Sequence, residues 1–444
     1  MRKKMYLFLL MYYFIGIFNS NVFAYNFYKE DDVLTDSILM VNLDTDSTVY
    51  EKNANKKRSI ASTTKIMTYI ITVENVKDLE GTKVTVSGDL LKSLEGTDSS
   101  ISGLRENDVL SVKDLLYCLM IPSGNDAALV LSNFIGNGNI NTFVDMMNKK
   151  AQELGCYDTS FANPHGLYDD NHYSTANDMY KIAKYALSLP YFKEICNTTE
   201  HELFNDDRTA LITTNKLIDK QRGGEYYYEY ASGIKTGYID EAGYCLISTA
   251  TKGECTYMIV ALGAPVFDNN GNELKQNLAM IESKKLYKWA FNSLKLQAVC
   301  EKQNPIGEVK SELAWKKDHA LLYPQDNIYL VIPVDLNKNQ LEYNLKVPES
   351  IDAPVEMGDI AGTLEIAYNG EVLAIENAVF NENIPSSLFL MVTRFIKNIF
   401  FSKLFISLFL IFILMVIMYI IVTINKNKKR KYRMKSKKKY KNIR

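Results

Sequence analysis

Residues 404–424 form an uncharged apolar run, LFISLFLIFILMVIMYIIVTI, which constrains the fold of this chain more than any other feature. As an α-helix, about 21 residues at 1.5 Å per residue reach roughly 31 Å, enough to cross the hydrocarbon core of a bilayer. Such a helix could instead lie in a soluble core, but soluble helices of this length rarely lack a polar face. The run therefore predicts a transmembrane helix.

The two ends of the chain predict on which side of the membrane the remainder lies. Residues 425–444, NKNKKRKYRMKSKKKYKNIR, contain no acid; a basic tail can bind nucleic acid, but directly after a span it indicates the cytoplasmic side. Residues 1–24 combine a basic start, a short apolar run and the ending VFA, which predicts a cleaved signal peptide, with an uncleaved anchor as the alternative. We therefore expect a single-pass protein of the cell membrane, with its bulk on the cell-wall side.

The charge distribution limits the classes of partner that the exported part can bind. The chain has 51 basic and 52 acidic residues, and fifteen of the basic ones lie in the signal and the tail. The part between them therefore carries a net charge of about −16, which argues against nucleic acid and against acidic surfaces as partners.

Hydrophobic patterning divides the exported part into two predicted domains. In residues 25–290, SILMVNLDTDSTVYE predicts a hairpin, SVKDLLYCLMI and NDAALVLSNFIG predict helices, and YCLISTATKGECTYMIVALGA predicts two strands around a Lys-Gly turn. Helices between strands from both ends of a segment indicate an α/β (α+β) domain. Residues 299–385 predict a small all-β domain, and residues 386–403 an amphipathic juxtamembrane segment before the span.

The stretch RSIASTTKIMTYIITVE, residues 58–74, places Ser62 three positions before Lys65 in apolar surroundings. The apolar spacing after Ser62 predicts a helix, and residues 62–64 suit its N-terminus. Residues i and i+3 share one helix face, and a lysine that loses its water can lose its proton and act as a base. The same pattern also arises by chance, as at residues 232–235 and 436–439. The pair alone is therefore a weak indication of catalysis.

Two further motifs each occur once in the chain. Ser-Gly-Asn at residues 123–125 lies between two predicted helices, and Lys-Thr-Gly at residues 235–237 enters a predicted strand. Each is weak alone, since a Lys-Thr-Gly turn is usually a solvated bend. Three such motifs, in this order and in an exported chain, strongly indicate a serine acyl-transfer enzyme.

With these motifs the chain resembles the serine penicillin-recognising enzymes, and more closely the low-molecular-weight penicillin-binding proteins, the serine-type D-alanyl-D-alanine carboxypeptidases. FANPHGLYDDNHYSTANDM and TNKL also resemble family motifs. The resemblance extends from signal to anchor and implies a transpeptidase-like catalytic domain, a small β domain and a membrane helix. The anchor departs from the family, because some members have only an amphipathic helix there.

The resemblance implies hydrolysis of the terminal D-Ala from peptidoglycan stem peptides ending in D-Ala-D-Ala, with β-lactams as covalent inhibitors. Acyl transfer needs a nucleophile, a proton acceptor and donors for the oxyanion. The expected catalytic residues are Ser62 as the acyl-ester nucleophile, Lys65 as general base, Ser123 as proton shuttle and Asn125 as a holder of Lys65 and the substrate amide.

The resemblance also implies the residues that bind the substrate. Lys235 and Thr236 are expected to hold its free carboxylate, and Gly237 to allow its backbone to approach. The backbone N–H of Tyr238 is expected to complete the oxyanion hole with that of Ser62.

We expect no cofactor and no metal. His165 and His172 bracket a loop, but no third ligand stands at a usual spacing, and a turn made by Asn163-Pro164 and Gly166 explains the loop better.

Two other functions are alternatives to the carboxypeptidase: a β-lactamase, which shares the Ser-x-x-Lys and Lys-Thr-Gly motifs, and an inactive binding protein. A β-lactamase needs a placed glutamate for deacylation, which EHELFN at residues 200–205 resembles only loosely. An inactive receptor for penicillin or wall peptides would bind penicillin without releasing D-alanine.

Overall fold

The structure is a computed structural model that describes residue 28 and residues 33–97, 99–204, 206–268 and 270–441. The predicted signal peptide, residues 1–24, lies outside the described residues. The chain divides into two compact units. Of the described residues, the first unit comprises those up to 300 with 327–344 and 365–376, and the second comprises those in 301–326, 345–364 and from 377 onward.

The described residues form strands and helices that alternate along the first unit and are mostly strands in the second. In chain order the strands are β1 (Ser37–Asn42), β2 (Ser47–Lys52), β3 (Lys83–Thr85), β4 (Val109–Ser111), β5 (Glu200–His201), β6 (Leu211–Ile212), β7 (Ala231–Ile239), β8 (Gly243–Lys252), β9 (Cys255–Ala264), β10 (Leu294–Cys300), β11 (Gly307–Glu312), β12 (His319–Pro324), β13 (Ile328–Pro333), β14 (Glu342–Lys346), β15 (Ser350–Asp352), β16 (Ile360–Tyr368) and β17 (Glu371–Phe380). The helices are α1 (Lys65–Asn75), α2 (Gly88–Lys92), α3 (Val112–Met120), α4 (Asn125–Ile135), α5 (Ile140–Glu153), α6 (Ala176–Ala186), α7 (Phe192–Asn197), α8 (Leu278–Ser293), α9 (Leu388–Phe400) and α10 (Lys403–Lys441).

A five-stranded antiparallel sheet in the order β2-β1-β9-β8-β7 is the centre of the first unit. Successive side chains of a strand point to opposite faces, and in β1 Leu39 and Val41 join one buried cluster whereas Ile38 and Met40 join another. The first cluster also contains apolar side chains of α1 and α3 to α7, and the second contains those of α8. The sheet therefore lies between two helical layers, as an α/β fold requires.

The secondary structure predicted for this unit is confirmed. The hairpin consists of β1 and β2, and the Asn42 side-chain oxygen accepts hydrogen bonds from the N–H groups of Asp44 (3.1 Å) and Thr45 (2.9 Å) in the turn between them. The two predicted helices are α3 and α4, and the strands around the Lys-Gly turn are β8 and β9. Ser111 and Asp114 form a capping box that starts α3 and so fixes the helix leading to the Ser-Gly-Asn turn.

The second unit is β-rich, as predicted. Strand β11 pairs antiparallel with β12 and parallel with β15, and β12 pairs antiparallel with the end of β17. Its core is a small buried cluster that includes Val309, Leu322 and Phe380. Strands β16 and β17 contribute residues to both units.

Two helices, α9 and α10, end the described part of the second unit. Within the described residues α10 is the one helix long and apolar enough to cross a membrane, over Lys403–Arg433, and none of its apolar window is buried in protein. The predicted span, residues 404–424, lies inside it. Helical structure satisfies every backbone polar group internally, so a terminal membrane helix fits this segment.

Glu282 is a buried carboxylate that joins the segment before β1 to α8. It accepts hydrogen bonds from the N–H groups of Leu34 (2.6 Å) and Thr35 (2.9 Å) and from the Thr35 hydroxyl. Glu282→Leu should lower the free energy of unfolding by about 2 kcal/mol or more, because it leaves buried donors without an acceptor. Glu282→Gln keeps one acceptor oxygen and should cost less. Thermal unfolding followed by circular dichroism compares the two, and equal stability of the leucine variant and the parent would contradict the assignment.

Candidate active site

Ser62 lies in a short 3₁₀ turn, Ala61–Thr64, that leads directly into α1. The sequence predicts it at the start of an α-helix, but the first α-helical residue is Lys65, because Ala61 adopts a φ of 45° and bends the chain before the serine. The Lys65 Nζ lies 2.8 Å from the Ser62 Oγ. The i, i+3 spacing thus brings the two reactive atoms into contact.

The Lys65 side chain is fully buried and has a complete set of partners. Its Nζ donates to the Asn125 Oδ1 at 2.6 Å and to the His165 carbonyl oxygen at 2.9 Å. The same Nζ lies 2.8 Å from the Ser62 Oγ, where an ammonium would donate and a neutral amine, with two N–H donors and one lone pair, would accept the serine proton. Burial lowers the pKa of Lys65 well below its ordinary value, nearby Lys235 lowers it further, and Asp126 opposes them. The lowered pKa favours the neutral amine, which lies within hydrogen-bond distance of the serine hydroxyl.

Lys235 is the second buried lysine of the site and lies on β7. Burial lowers its pKa to about 7. Its Nζ donates to the carbonyl oxygen of the neighbouring Thr236 at 2.9 Å. A buried lysine amine therefore lies beside the cavity that the threonine lines.

The Ser-Gly-Asn turn connects α3 to α4. Ser123 has a φ of 65°, in the left-handed region, and Asn125 begins α4. The Gly124 N–H donates to the Cys118 carbonyl oxygen at 3.0 Å, which ties the turn to the end of α3. The turn directs Ser123 and Asn125 into the same cavity as Ser62.

Asp126 holds the segment around Ser102 against the Ser-Gly-Asn turn, and the sequence motifs do not predict it as a site residue. Its buried carboxylate accepts hydrogen bonds from the Ser102 N–H (2.9 Å) and hydroxyl and from the Leu104 N–H (3.2 Å). The adjoining Ser99 and Ser100 line the cavity. Asp126 directly follows the Ser-Gly-Asn motif, but its partners lie more than twenty residues away in the chain and nothing in the sequence indicates them.

Strand β7 is an edge of the sheet and forms one wall of the cavity. Thr236, Gly237 and Tyr238 line it. A Cβ added at Gly237 would lie 3.0 Å from both the Ser62 nitrogen and the Ala61 Cβ, so glycine permits the strand to approach the serine turn this closely.

Thr214 is a further cavity residue, whose only signal in the sequence is the family-like TNKL segment. Its hydroxyl forms a hydrogen bond with the Thr236 hydroxyl. Asn215 Nδ2 donates to the Gly233 carbonyl oxygen at 2.7 Å and so fixes the segment against the start of β7. Two hydroxyls and a buried ammonium therefore adjoin one end of the cavity.

His172 supports the serine turn. Its Nδ1 accepts from the Ala162 N–H at 3.1 Å, which leaves Nε2 to donate to the Thr64 Oγ1 at 2.7 Å. The Thr64 hydroxyl in turn donates to the Ala61 carbonyl oxygen at 2.7 Å. Burial lowers the pKa of His172 to about 4, so the ring remains neutral near pH 7.

The turn predicted at Asn163-Pro164 and Gly166 is confirmed. It places the His165 carbonyl oxygen within hydrogen-bond distance of the Lys65 Nζ. Gly166 has a φ of 92°, and a Cβ there would lie 2.0 Å from the Ala61 carbonyl oxygen, so the loop packs on the serine turn through glycine. Within the described residues, no group of three or more His, Cys, Asp or Glu side chains could hold a metal ion.

The site residues surround one open cavity of about 510 Å³. Its lining includes Ser62, Ser123, Asn125, Thr214, Thr236, Gly237 and Tyr238, with the acidic side chains Asp240 and Glu241. Glu200, from the segment compared with a β-lactamase loop, pairs with Arg222 at 3.0 Å instead. The described lining of this cavity thus offers no glutamate from that segment.

Comparison with known protein families gives two matches that together cover most of the chain. Residues 25–266 match the family described as D-alanyl-D-alanine carboxypeptidase, peptidase S11. Residues 296–386 match the C-terminal domain of penicillin-binding protein 5.

Individual relatives agree with these matches. The chain is 31% identical to Bacillus subtilis D-alanyl-D-alanine carboxypeptidase DacF, over 80% of this chain and 87% of the relative. It is 29% identical to Escherichia coli D-alanyl-D-alanine carboxypeptidase DacA, over 80% and 84% respectively. Among solved structures, penicillin binding protein 5 from Haemophilus influenzae superimposes with a TM-score of 0.65 and 26% identity, covering 81% of this chain and all of that one.

The two buried lysines generate a prediction about pH. Lys235→Met removes the nearby cation and should raise the pKa of Lys65, so that the acidic limb of Ser62 acylation moves to higher pH, because the base is lost as pH falls through its pKa. Lys235→Arg retains a cation and should leave the limb closer to that of the parent. The measurement is the rate of labelling by a fluorescent penicillin across pH. An unshifted limb in the methionine variant would mean that burial alone sets the pKa of Lys65.

Proposed function

Because this chain belongs to the D-alanyl-D-alanine carboxypeptidase family, we propose that it removes the terminal D-alanine from peptidoglycan stem peptides through an acyl-enzyme on Ser62. It is a serine-type carboxypeptidase, a hydrolase with the penicillin-recognising fold. The observation that carries the residue-level proposal is the hydrogen bonding of Lys65, whose Nζ contacts two carbonyl oxygens and the Ser62 Oγ.

Acylation begins when neutral Lys65 takes the proton of the Ser62 hydroxyl. The Oγ then forms a bond to the carbonyl carbon of the penultimate D-alanine. The developing oxyanion is stabilised by the backbone N–H groups of Ser62 and Tyr238, and loss of one such donor typically costs about 10²–10³ in rate, roughly 3–4 kcal/mol. The close approach at Gly237 supports this assignment.

Collapse of the intermediate breaks the bond to the leaving D-alanine, whose nitrogen must receive a proton. Ser123 delivers that proton from protonated Lys65, and Asn125 holds the lysine and the substrate amide. The D-alanine leaves, and water attacks the acyl carbon while Lys65 accepts its proton. The bond between that carbon and the Ser62 Oγ then breaks, Lys65 returns the proton to the Oγ, and the shortened peptide leaves as its carboxylic acid.

The substrate carboxylate binds at the end of the cavity where Lys235, Thr236 and Thr214 meet. A lysine beside two hydroxyls supplies a charge-assisted site for a terminal carboxylate. The open edge of β7 offers backbone groups to which an extended peptide can add as a strand.

β-Lactams are proposed to acylate Ser62 in place of the peptide. A β-lactamase would need a glutamate in the cavity. Residues 200–204 do not supply one, because none of them lines the cavity and Glu200 pairs with Arg222. An inactive receptor would not need a buried lysine amine within 2.8 Å of a serine hydroxyl, as Lys65 and Ser62 provide.

We further propose the domain layout and topology expected from the sequence. A signal peptide at residues 1–24 precedes a catalytic domain at 25–290, and a β domain at 299–385 leads through an amphipathic segment at 386–403 to the span at 404–424. The basic tail, residues 425–444, lies in the cytoplasm, and the catalytic domain faces the cell wall. The exposed apolar length of α10 supports the span.

Release of D-alanine tests the proposed reaction. The purified chain should liberate free D-alanine from a pentapeptide ending in D-Ala-D-Ala, and Ser62→Ala should lower the rate by several orders of magnitude and abolish penicillin labelling. Ser188→Ala, an exposed serine on the same unit, is the matched control and should retain the parent rate. Penicillin labelling without D-alanine release would support the inactive receptor, and rapid turnover of penicillin would support the β-lactamase.

Protease accessibility tests the topology. Protease added to intact protoplasts should digest the catalytic domain but spare an epitope tag placed after Arg444, because α10 would separate the two. Deleting the tail from Lys426 should leave the protein in the membrane, since an apolar run of about 21 residues contributes more than the roughly 1 kcal/mol per basic residue lost with the tail. Digestion of the tag in intact protoplasts would reverse the proposed orientation.

A further inference from the structure

Residues 313–317, Leu-Ala-Trp-Lys-Lys, form a loop of the second unit that lies against the start of α9. The Ser387 N–H donates to the Leu313 carbonyl oxygen at 2.6 Å, and Ala314 and Ser386 form an antiparallel β-bridge. Backbone contacts thus hold the loop at the point where the chain leaves the β unit for its terminal helices.

Trp315 projects from this loop and is 59% exposed. Its ring packs edge-on against Phe389 of α9, with the centroids 5.9 Å apart and the planes at 85°. Phe389 is itself 63% exposed. An exposed Trp-Phe pair is an apolar surface that water solvates poorly, and the indole N–H suits it to a boundary between apolar and polar phases.

The orientation of α9 follows from its charged side. Arg394 pairs with Asp352 at 2.5 Å and with Glu312 at 3.4 Å, so this side of the helix faces the β unit. The exposed apolar side chains recur at spacings of three and four on the other side: Leu388, Met391, Val392, Phe395, Ile396 and Ile399. Helix α10 begins three residues after α9 ends.

We propose that Trp315 and Lys316 form a second membrane contact that docks the β unit on the bilayer surface. The bilayer is the occupant because the loop contacts the start of α9, the apolar side of α9 is exposed, and α10, the proposed span, follows α9 directly in the chain. The indole would lie at the level of the lipid headgroups, and the exposed Lys316 ammonium beside anionic phosphates. This inference rests on the membrane anchorage proposed above.

Docking by the loop would limit how the β unit tilts on the membrane. A single helix crossing the bilayer leaves the attached unit free to tilt about the connection. A contact at Trp315, on a loop of the β unit that is bonded to the Ser387 junction, adds a second point of attachment within the same unit. The bilayer and not α10 alone would then set the orientation of this unit.

The chain contains two tryptophans, which allows a direct test. Trp289→Phe leaves Trp315 as the sole indole, and Trp315→Phe is the matched control that leaves Trp289, a ring of the first unit packed against Tyr28. Each full-length variant is reconstituted into vesicles of phosphatidylcholine and phosphatidylglycerol that contain lipid brominated near the headgroup end of its acyl chains. We expect emission to fall by about half when Trp315 is the reporter, because tryptophan settles at the headgroup level, and to remain near its unquenched value when Trp289 is.

The outcomes separate the loop from the anchor. Retention of the protein after alkaline carbonate washing, with Trp315 quenched by aqueous iodide and not by bromolipid, would overturn the docking proposal while the anchor stands. Extraction by carbonate would overturn both. Lys316→Glu in the Trp289→Phe background should weaken the bromolipid quenching on vesicles with phosphatidylglycerol and leave it unchanged on phosphatidylcholine alone. An equal effect on both vesicles would overturn the role of the ammonium.

Discussion

The active site depends on one constraint, the removal of the Lys65 amine from water. A buried ammonium is costly unless it is paired, and in the part of the chain that the structure describes no carboxylate accepts a hydrogen bond from this amine. Two carbonyl oxygens accept its N–H groups, from Asn125 and His165, and the serine takes the remaining position. The lowered pKa of Lys65 is therefore a consequence of packing, and the elements that supply its partners are held close to the serine.

The fold satisfies this constraint by bringing distant segments to one edge of the sheet. Helix α1 carries the lysine, the first turn of α4 carries Asn125, and the loop before α6 carries His165. Strand β7 closes the remaining side, where the absence of a side chain at Gly237 allows contact with the serine turn. The helical layer and the sheet edge thus each contribute one half of the cavity, and neither is sufficient alone.

The sequence predicts the residues that carry the proposed chemistry better than the residues that hold them in place. Ser62 and Lys65 are three residues apart, a spacing that brings side chains together across a 3₁₀ turn as on an α-helix, and periodicity indicates the strands and helices that flank them. Asp126, Thr214 and His172 act through partners distant in the chain, and a single Asp, Thr or His carries no periodic signal of those partners. The ion pairs of Arg394 with Asp352 and Glu312 cannot be predicted from the sequence for the same reason, although the amphipathic pattern of α9 can.

Backbone strain accompanies the reactive groups. Ala61 and Ser123 are non-glycine residues with φ of 45° and 65°, and such conformations cost of order 1–3 kcal/mol each. They persist because the surrounding contacts over-determine them. The Ala61 carbonyl accepts from the Thr64 hydroxyl and lies beneath Gly166, and the turn after Ser123 is bonded back to Cys118. The cost falls on Ser123 and on the residue directly before Ser62, and both serines line the cavity, so the surrounding contacts stabilise a serine geometry that a relaxed helix start would not provide.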